Sequence, residues 1–377
     1  MKTPCTMKVF LRNPLSAALM LAMATAAHAG LPVGGVVAGG QANITQSGNH
    51  ETITQSTANV VINWQSFSIG SGQTVQFVQP GSSSVALNRV LGSDPSLIFG
   101  SLLANGKVFL LNPNGVLFGS GASVNVGGLV ASTMSMTDSN FMAGKYVFTG
   151  AGSGAVVNQG SIAAGDGGYV ALMGREVSNT GVISARLGSV ILAGGKDVTL
   201  DLAGDGLLNV AVTQGAVNAL VENSGAIRAD GGRVLLTAQA AGNILDTVVN
   251  NTGVIQAQTI GNRNGSIMLL GDMQSGTVNL ISGVLDASAP NGGDGGSVTT
   301  SAAHVNVRDT AKISTAAPYG SIGTWLIDPH NFTIGSAPGD NISGATLSAE
   351  LVTNNINIST AGSGTQPGDI TVNDAVS

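Results

Sequence analysis

The sequence contains very little cysteine, charge or aromatic side chain. One of its 377 residues is Cys, 9% are charged and 4% are aromatic. Soluble domains carry about 25% charged residues on average, so this composition differs from that of a compact enzyme. Intrinsic disorder is also excluded, because it requires high charge and low hydrophobicity, whereas 43% of these residues are hydrophobic.

The residues that are abundant favour β structure. The chain has 55 Gly, together with many Val, Ile, Leu, Asn, Ser and Thr residues. Branched apolar residues favour strands, and Gly, Asn and Ser favour tight turns. We therefore expect an all-β protein of many short strands, with enough chain for one long repetitive core.

Residues 1–29 have the three parts of a secretory signal peptide. A basic start and an apolar stretch over 15–27 lead to the small residues Ala27 and Ala29, with cleavage expected before Gly30. A membrane anchor is the alternative, but the apolar run is short for a membrane span. The single Cys lies in this segment, so the exported chain would have no disulfide, and repetition and packing must stabilise it.

Cleavage would also remove three basic residues and no acidic one, which changes the formal net charge from −6 to −9. No cluster of Lys or Arg remains, so we expect no nucleic-acid partner.

The pattern V-x-N-x-G-x-I recurs four times between residues 156 and 255. Each copy is followed by Gly and a second apolar run, and a degenerate copy covers 307–313. Self-similarity at about 20–25 residues is typical of a solenoid. The Asn and Gly of the four clear copies are Asn158 and Gly160, Asn179 and Gly181, Asn223 and Gly225, and Asn251 and Gly253.

This repeat predicts a right-handed parallel β-helix. Helical repeats need apolar stripes of period 3.6, and here Gly and Asn interrupt every short apolar run. Val, Ile and Leu would point inward, while Asn and Gly would form the corners, with Gly at positive φ. Stacked Asn side chains could form a ladder along the axis, and parallel crossovers favour the right-handed form.

Four regions follow from this interpretation: the signal peptide, an irregular N-terminal β cap with the first coils over 30–150, regular coils over 151–285, and further coils over 286–377. A cap is expected because open β edges invite aggregation. The final "GDITVNDAVS" resembles a strand that enters another coil. We therefore expect the chain to be a fragment of a longer exoprotein.

No residue is assigned to catalysis, to a metal or to a cofactor. The His residues outside the signal peptide occur in no zinc-binding motif. Three Asp-Gly-Gly sequences follow the repeat; each is expected to form a turn, with a Ca²⁺ site or a lyase-type acid pair as the alternative. These residues are His50, His304 and His330, and Asp166, Asp230 and Asp294.

Two pairs of residues stand out before the repeat. Trp64 and Phe67 fit the core of the cap, with an exposed carbohydrate-binding platform as the alternative. The polar pair Asn88 and Arg89 interrupts an apolar run. Arg89 is expected at a surface or a strand end, and contact with a partner protein is the second interpretation.

Four landmarks precede the repeat in a fixed order. Together, behind a signal peptide, they resemble the secretion domain of two-partner-secretion exoproteins, the filamentous haemagglutinin family, with a closer likeness to its high-molecular-weight adhesin branch. The likeness covers roughly residues 30–285. The landmarks are "VVINWQSFSIGSGQTVQF" (60–77, with Asn63), "ALNRV" (86–90), "GKVFLLNPNGVLFG" (106–119) and "VNVGGLVAST" (124–133).

The resemblance implies an exported protein of a Gram-negative bacterium. The chain would cross the inner membrane through the Sec translocase, and an outer-membrane transporter with POTRA domains and a β-barrel would recognise it in the periplasm. It would then fold outside as a secreted or surface-exposed adhesin, expected to be monomeric, with a host-cell receptor or glycan as its ligand. Haemolysins and contact-dependent toxins of the same family, and an extracellular polysaccharide-degrading β-helix enzyme, are the alternatives.

The sequence "NPNG" has its own structural logic. Pro113 suits the second position of a β-turn, Asn114 the third and Gly115 the fourth, and Pro biases Asn112 toward extended backbone. The flanking runs "VFLL" and "VLFG" are apolar on both faces, which indicates burial on both sides. We therefore predict a turn that sets the local geometry, on which transporter recognition depends. Some family members carry a second motif, NPNL, and this sequence lacks it.

Overall fold

The computed structural model describes residues 30–150, 152–201, 208–217, 219–239, 248–360 and 367–377. The predicted signal peptide, with Ala27 and Ala29, lies outside the described residues, and Gly30 is the first described residue. Among these residues, no helix is both long enough and apolar enough to cross a membrane.

The described chain forms three long sheets, with strands numbered β1 to β36 along the sequence. Sheet A contains, in spatial order, β1 (Val36–Gly39), β4 (Asn59–Trp64), β6 (Val85–Val90), β9 (Lys107–Leu111), β12 (Gly128–Ser132), β16 (Tyr169–Gly174), β19 (Ser189–Gly194), β24 (Arg233–Ala238), β27 (Ser266–Leu270), β30 (Ser297–Ser301), β33 (Thr324–Asp328) and β35 (Asn355–Ile358). Sheet B contains β7 (Ser96–Ile98), β10 (Val116–Phe118), β14 (Val156–Asn158), β17 (Glu176–Asn179), β22 (Leu220–Asn223), β25 (Val248–Asn251), β28 (Thr277–Leu280) and β31 (His304–Val307). Sheet C contains β2 (Ala42–Ser47), β3 (His50–Gln55), β5 (Thr74–Val78), β8 (Ser101–Ala104), β11 (Ser123–Val126), β15 (Ser161–Ala164), β18 (Val182–Ser184), β23 (Ala226–Arg228), β26 (Val254–Gln256), β29 (Val284–Asp286) and β32 (Lys312–Ser314).

Smaller elements are attached to this framework. Two short helices, α1 (Asp138–Met142) and α2 (Gly344–Glu350), lie outside the sheets. The remaining strands form a three-stranded sheet of β13 (Tyr146–Phe148), β20 (Asp197–Asp201) and β21 (Asn209–Gln214), and a pair of β34 (Phe332–Ile334) and β36 (Ile370–Val372).

From β7 to β33, each coil contributes one strand to sheet B, then one to sheet C, then one to sheet A. Successive coils pair in parallel and in register, so that Val156 lies beside Val177 and Ile162 beside Ile183. The repeat copies therefore stack like on like, and the predicted parallel β-helix is confirmed. Alternating residues point inward, and the stacked Ile at 162, 183, 227 and 255 are fully buried.

The corner glycines differ from the prediction. Gly160, Gly181, Gly225 and Gly253 are not among the glycines with positive φ, so that expectation is wrong. Their requirement is space: a Cβ atom on Gly181 would collide with the carbonyl oxygen of Gly160 in the preceding coil. Coils stacked about 4.8 Å apart leave no room for a side chain at this corner.

The N-terminal end is irregular, as the sequence predicts. Strand β2 forms an antiparallel hairpin with β3, and β1 runs antiparallel to β4. Parallel stacking then starts with the pairs β3–β5 and β4–β6. The predicted range 30–150 thus contains both a short antiparallel cap and the first coils.

A second hydrophobic layer covers the outer face of sheet A. In β9, Val108 and Leu110 join the central core, whereas Phe109 and Leu111 join this outer cluster. Helix α1 and the three-stranded sheet supply the covering aromatic side chains. Both faces of the "VFLL" strand are therefore buried, as its apolar pattern indicates. The ring of Phe109 lies 6.0, 5.1 and 6.3 Å from those of Phe141, Tyr146 and Phe148.

Helix α2 packs at the C-terminal end of sheet C. Its N-cap Ser343 accepts a hydrogen bond from the backbone N–H of Thr346. The Glu350 carboxylate accepts a hydrogen bond of 3.0 Å from the Ile313 backbone N–H in β32. Burial raises the pKa of Glu350, and hydrogen bonds from Ile313 and Asn354 partly oppose that rise. The final "GDITVNDAVS" contributes β36, which pairs in parallel with β34.

Candidate functional site

The sequence "NPNG" forms the turn between β9 and β10. The Gly115 backbone N–H donates to the Asn112 carbonyl oxygen at 3.0 Å, which closes the turn. Gly115 has a φ of 119°, a conformation that residues with a side chain rarely adopt. The predicted turn and its glycine requirement are both present.

The two asparagines of this turn are anchored differently. Asn112 is fully buried, and its amide donates to the Asp94 carbonyl and to the Ser96 hydroxyl, both at 3.0 Å. Its Oδ1 accepts the Asn114 backbone N–H at 3.0 Å. The Asn114 amide donates to the Gly92 carbonyl at 2.9 Å. The turn is thereby joined to the 92–96 segment of the preceding coil.

The next coil closes over the other side of the turn. The Pro113 carbonyl accepts the backbone N–H groups of Ser153 and Gly154, at 2.9 and 3.1 Å. Pro113 and Asn114 remain half-buried. The motif is therefore an internal turn with one exposed edge, and that edge is what a partner could contact.

Arg89 lies beside this edge. Its guanidinium pairs with Asp138 at 2.6 Å and donates to the Met136 carbonyl at 2.7 Å and to the Asn63 amide oxygen at 3.0 Å. These bonds tie strands β4 and β6 to the start of helix α1. The Arg89 side chain is 20% exposed, so the ion pair is only partly open to solvent.

The other cap landmarks support the same region from inside. Trp64 and Phe67 are each 1% exposed, with ring centroids 5.5 Å apart in an edge-to-face contact. The Trp64 indole N–H donates to Asn88 Oδ1 at 3.0 Å. The Asn88 amide then donates to the Phe109 carbonyl at 3.3 Å. These side chains are core residues here, and they present no exposed aromatic platform.

A groove of about 320 Å³ runs between Arg89 and the NPNG turn. Its wall is apolar on the side of Leu111 and Met134, and polar at Arg89, Asn114 and Ser135. The residues lining it are Arg89, Val90, Leu91, Gly92, Leu111, Pro113, Asn114, Met134 and Ser135. The structure thus brings together two landmarks from adjacent coils, since Arg89 pairs in register with Leu111 just before the turn.

Sequence reasoning missed several members of this site. Asp138 and the Met136 carbonyl engage Arg89, and Asp94 and Ser96 hold Asn112. No motif distinguishes these residues. Only the start of α1 had a local sequence signal: Thr137 precedes the helix, and its side chain accepts the Asn140 backbone N–H as an N-cap.

The repeat asparagines form a separate, purely internal feature. Each amide donates to the next asparagine's Oδ1 at 2.7 Å, from Asn158 to Asn179, to Asn223 and to Asn251. These four side chains are at most 1% exposed. They form the predicted ladder along one corner of the helix, away from the groove.

The Asp side chain of each Asp-Gly-Gly sequence has its own ion-pair or hydrogen-bond partner. Asp166 pairs with Arg186, Asp230 accepts from Gln256 and the Gln258 backbone, and Asp294 accepts from the Ser321 backbone. In the described residues, no group of three or more His, Cys, Asp or Glu side chains could hold a metal ion.

The comparison with protein families decides the identity of this region. Residues 30–280 match the model of the TPS secretion domain. The chain belongs to this family. Members are exoproteins that Gram-negative bacteria secrete by two-partner secretion, which implies a partner transporter in the outer membrane. The matched residues contain the whole NPNG–Arg89 region.

Two relatives and one solved structure support the assignment. The chain is 39% and 34% identical to two Haemophilus influenzae proteins named heme/hemopexin-binding protein, over 64% and 59% of its length. It spans only 27% and 26% of those relatives. The crystal structure of the HMW1 secretion domain from Haemophilus influenzae matches with a TM-score of 0.66 and 25% identity, over 91% of this chain and 100% of that one.

Proposed function

We propose that residues 30–280 direct export of this chain through a cognate outer-membrane transporter, and that the transporter reads the exposed edge of the NPNG turn together with the Arg89 groove. The observation that carries this is the convergence of the turn, Arg89 and an apolar groove on one surface. The groove combines apolar walls with a few fixed polar groups, as recognition sites generally do.

The composition also suits export as an unfolded chain. The proposed mature chain has no cysteine, so no disulfide can lock a folded state in the periplasm. A single coil buries little surface without its neighbours, and solenoid folding therefore needs a nucleus. The Trp64–Phe67 pair in the central core and the aromatic rings around Phe109 in the outer cluster support the first coils as that nucleus, on which later coils would add outside the cell.

The exported protein is best interpreted as a surface-exposed or secreted adhesin of the haemagglutinin type, with a host-cell receptor or glycan as its ligand. We further propose that the signal peptide is cleaved before Gly30, that the chain passes through the Sec translocase, and that the exported form is monomeric. The relatives' names refer to heme and hemopexin, but the match covers about a quarter of their length. Heme or hemopexin binding by this chain is therefore a second candidate only.

The enzyme alternative receives less support. A lyase or hydrolase on this fold would need acidic or basic side chains gathered at one open site. Asp166, Asp230 and Asp294 lie on separate coils, and each one engages its own partner in the coil that follows.

Secretion of variants by cells that express the cognate transporter tests the proposal. Replacing Pro113 and Asn114 together by Ala should reduce secreted protein about tenfold or more, because the exposed edge and the Gly92 contact are both lost. Arg89→Gln should reduce secretion as well, since it breaks the ion pair that lines the groove.

The matched control is Asn125→Ala, an exposed asparagine in β11 on a different sheet, which should be secreted normally. Refolding of each purified variant separates recognition from folding. Normal secretion together with normal refolding of the Pro113 and Asn114 double variant would contradict the proposal.

A further inference from the structure

A second cleft lies at the other end of the molecule, and all of its lining residues except Thr277 lie beyond the range that the family model matches. It has a volume of about 470 Å³ and is lined by Thr277, His304, Asn306, Arg308, Asn331, Gly339 and Asn341. None of its lining side chains is large and apolar. A cleft lined in this way selects ligands by hydrogen bonds and charge.

The floor of the cleft is set by the alternation of strand β31. His304 and Asn306 face outward while Val305 and Val307 are buried in the core, and Arg308 continues the outward row. Outward side chains along a strand stand about 7 Å apart, so His304 and Arg308 flank Asn306 on either side. The segment around Asn341 forms the wall, because its backbone oxygen accepts the Val307 N–H at 2.8 Å.

Asn306 ends a polarised chain of amides on the outer face of sheet B. The Asn306 amide donates to Asn279, Asn279 to Asn250, and Asn250 to the Glu222 carboxylate, at 3.0, 3.1 and 3.3 Å. Each bond polarises the next, and the carboxylate strengthens the same direction. Within the described residues Asn306 Oδ1 accepts no hydrogen bond, so this row of hydrogen-bonded amides ends in an acceptor atom at the floor of the cleft.

The donors around this acceptor are also available. The side chains of Arg308 and His304 make no hydrogen bond or ion pair within the described part of the chain. Asn331 uses its Oδ1 to accept from Gly368 and Asp369, at 3.0 and 2.9 Å, and this leaves its amide N–H groups for another partner.

The adjacent acids are already engaged. Asp309 accepts from the hydroxyls of Thr346 and Ser343, and these bonds, with a smaller contribution from the positive charge of Arg308, hold its pKa below the usual range. Asp340 accepts the Ala337 backbone N–H at 2.9 Å. Arg308 lines the cleft and forms no salt bridge within the described residues, although its charge acts on the neighbouring Asp309.

From these contacts we propose that the cleft binds an acidic saccharide, a sugar unit that carries a carboxylate. Arg308 would pair with the carboxylate, which its planar guanidinium fits in a bidentate manner. Asn306 Oδ1 would accept a sugar hydroxyl, and the Asn331 amide would donate to another. A bare anion would use Arg308 alone, and a neutral sugar would leave Arg308 unpaired.

Calorimetric titration of the purified full-length chain with digalacturonic acid tests this site. Saturable binding is expected, about tenfold weaker for the dimethyl ester of the same disaccharide, which keeps the hydroxyls and loses the charge. Arg308→Gln should weaken binding of the acid about tenfold and leave binding of the ester unchanged. Asn306→Ala should weaken both.

The matched control is Arg228→Gln, an exposed arginine on sheet C, which should bind like the wild type. Absence of saturable binding would overturn the proposal, as would equal weakening by Arg228→Gln. Acetate that binds as tightly as the disaccharide would show a site for bare anions and would also overturn it. Because Arg308 lies outside residues 30–280, secretion of the Arg308 variant should stay normal.

Discussion

At the scale of single residues, the most unusual group is the carboxyl of Glu51. Glu51 is 2% exposed in β3, and its Oε1 has no hydrogen-bond partner in the described structure. Burial raises its pKa from 4.5 to about 7. It points into the core in the row that Val75 and Leu102 continue, so the charged form lies among apolar side chains of the first coils.

This raised pKa predicts a pH dependence of stability. Burial in the folded state favours the protonated form of Glu51. Below the unfolded pKa the carboxyl is protonated in both states, so no stability is lost there. As the pH rises from about 4.5 to about 7, ionisation favours the unfolded chain and the free energy of unfolding falls. Glu51→Gln should therefore raise the thermal midpoint at pH 8 and change it much less at pH 4. Thermal unfolding followed by circular dichroism measures both. An equal shift at the two pH values would show that burial of the charge is not the cause.

At the scale of repeated elements, two side-chain ladders run along sheet B and share the strands β22 and β25. The inner ladder passes through Asn223 and Asn251, and the outer one passes through Asn250. Inside the core each amide has no water to replace a lost partner. The inner ladder should therefore contribute much more to stability than the outer one.

Two substitutions compare the ladders directly. Asn223→Ala breaks two inner-ladder hydrogen bonds of 2.7 Å and leaves Asn179 and Asn251 each without one ladder partner. We expect a loss of about 2–4 kcal/mol in the free energy of unfolding. Asn250→Ala also breaks two ladder bonds, but on a half-buried face, and should cost about 1 kcal/mol or less. Urea unfolding measures both. Similar losses for the two variants would contradict a special role for the inner ladder.

At the scale of the whole molecule, two hydrophobic cores share one sheet. The central core fills the helix, and the outer cluster holds α1 and the three-stranded sheet against sheet A. The Arg89–Asp138 ion pair and the bond to Met136 join the same α1 region to β6. The candidate recognition groove therefore depends on the outer cluster as well as on the coils.

Loss of one aromatic side chain tests this dependence. Phe141→Ala should cost about 3–5 kcal/mol, release α1 from the sheet and speed hydrogen exchange in residues 138–148. The neighbouring Met142 is 44% exposed, so Met142→Ala serves as the control and should change little. The inner ladder of asparagines should stay protected in both variants, and loss of its protection in Phe141→Ala would mean that the two cores unfold as one unit.

Several features of the fold and site could be predicted from the order of residues. The repeat and its apolar alternation predicted the parallel coils and the Asn ladder, because each coil repeats one local rule. Pro113 and Gly115 predicted the turn, since their backbone preferences are local. The burial of both faces of "VFLL" followed from its unbroken apolar run.

Other features arose only from tertiary structure. Two partners of Arg89, Met136 and Asp138, lie 47 and 49 residues away, and only docking of α1 on sheet A brings them to it. The corner glycines are required because stacked coils lie too close together for a side chain. The prediction that they adopt positive φ considered only local backbone conformation and was wrong. The polarised amides that end at Asn306 exist because four strands stack in register. By itself the sequence determined the β-helical coils and the NPNG turn, because those depend on local preferences and periodicity. The groove and the second cleft depend on contacts between distant coils, and only the folded chain decided those.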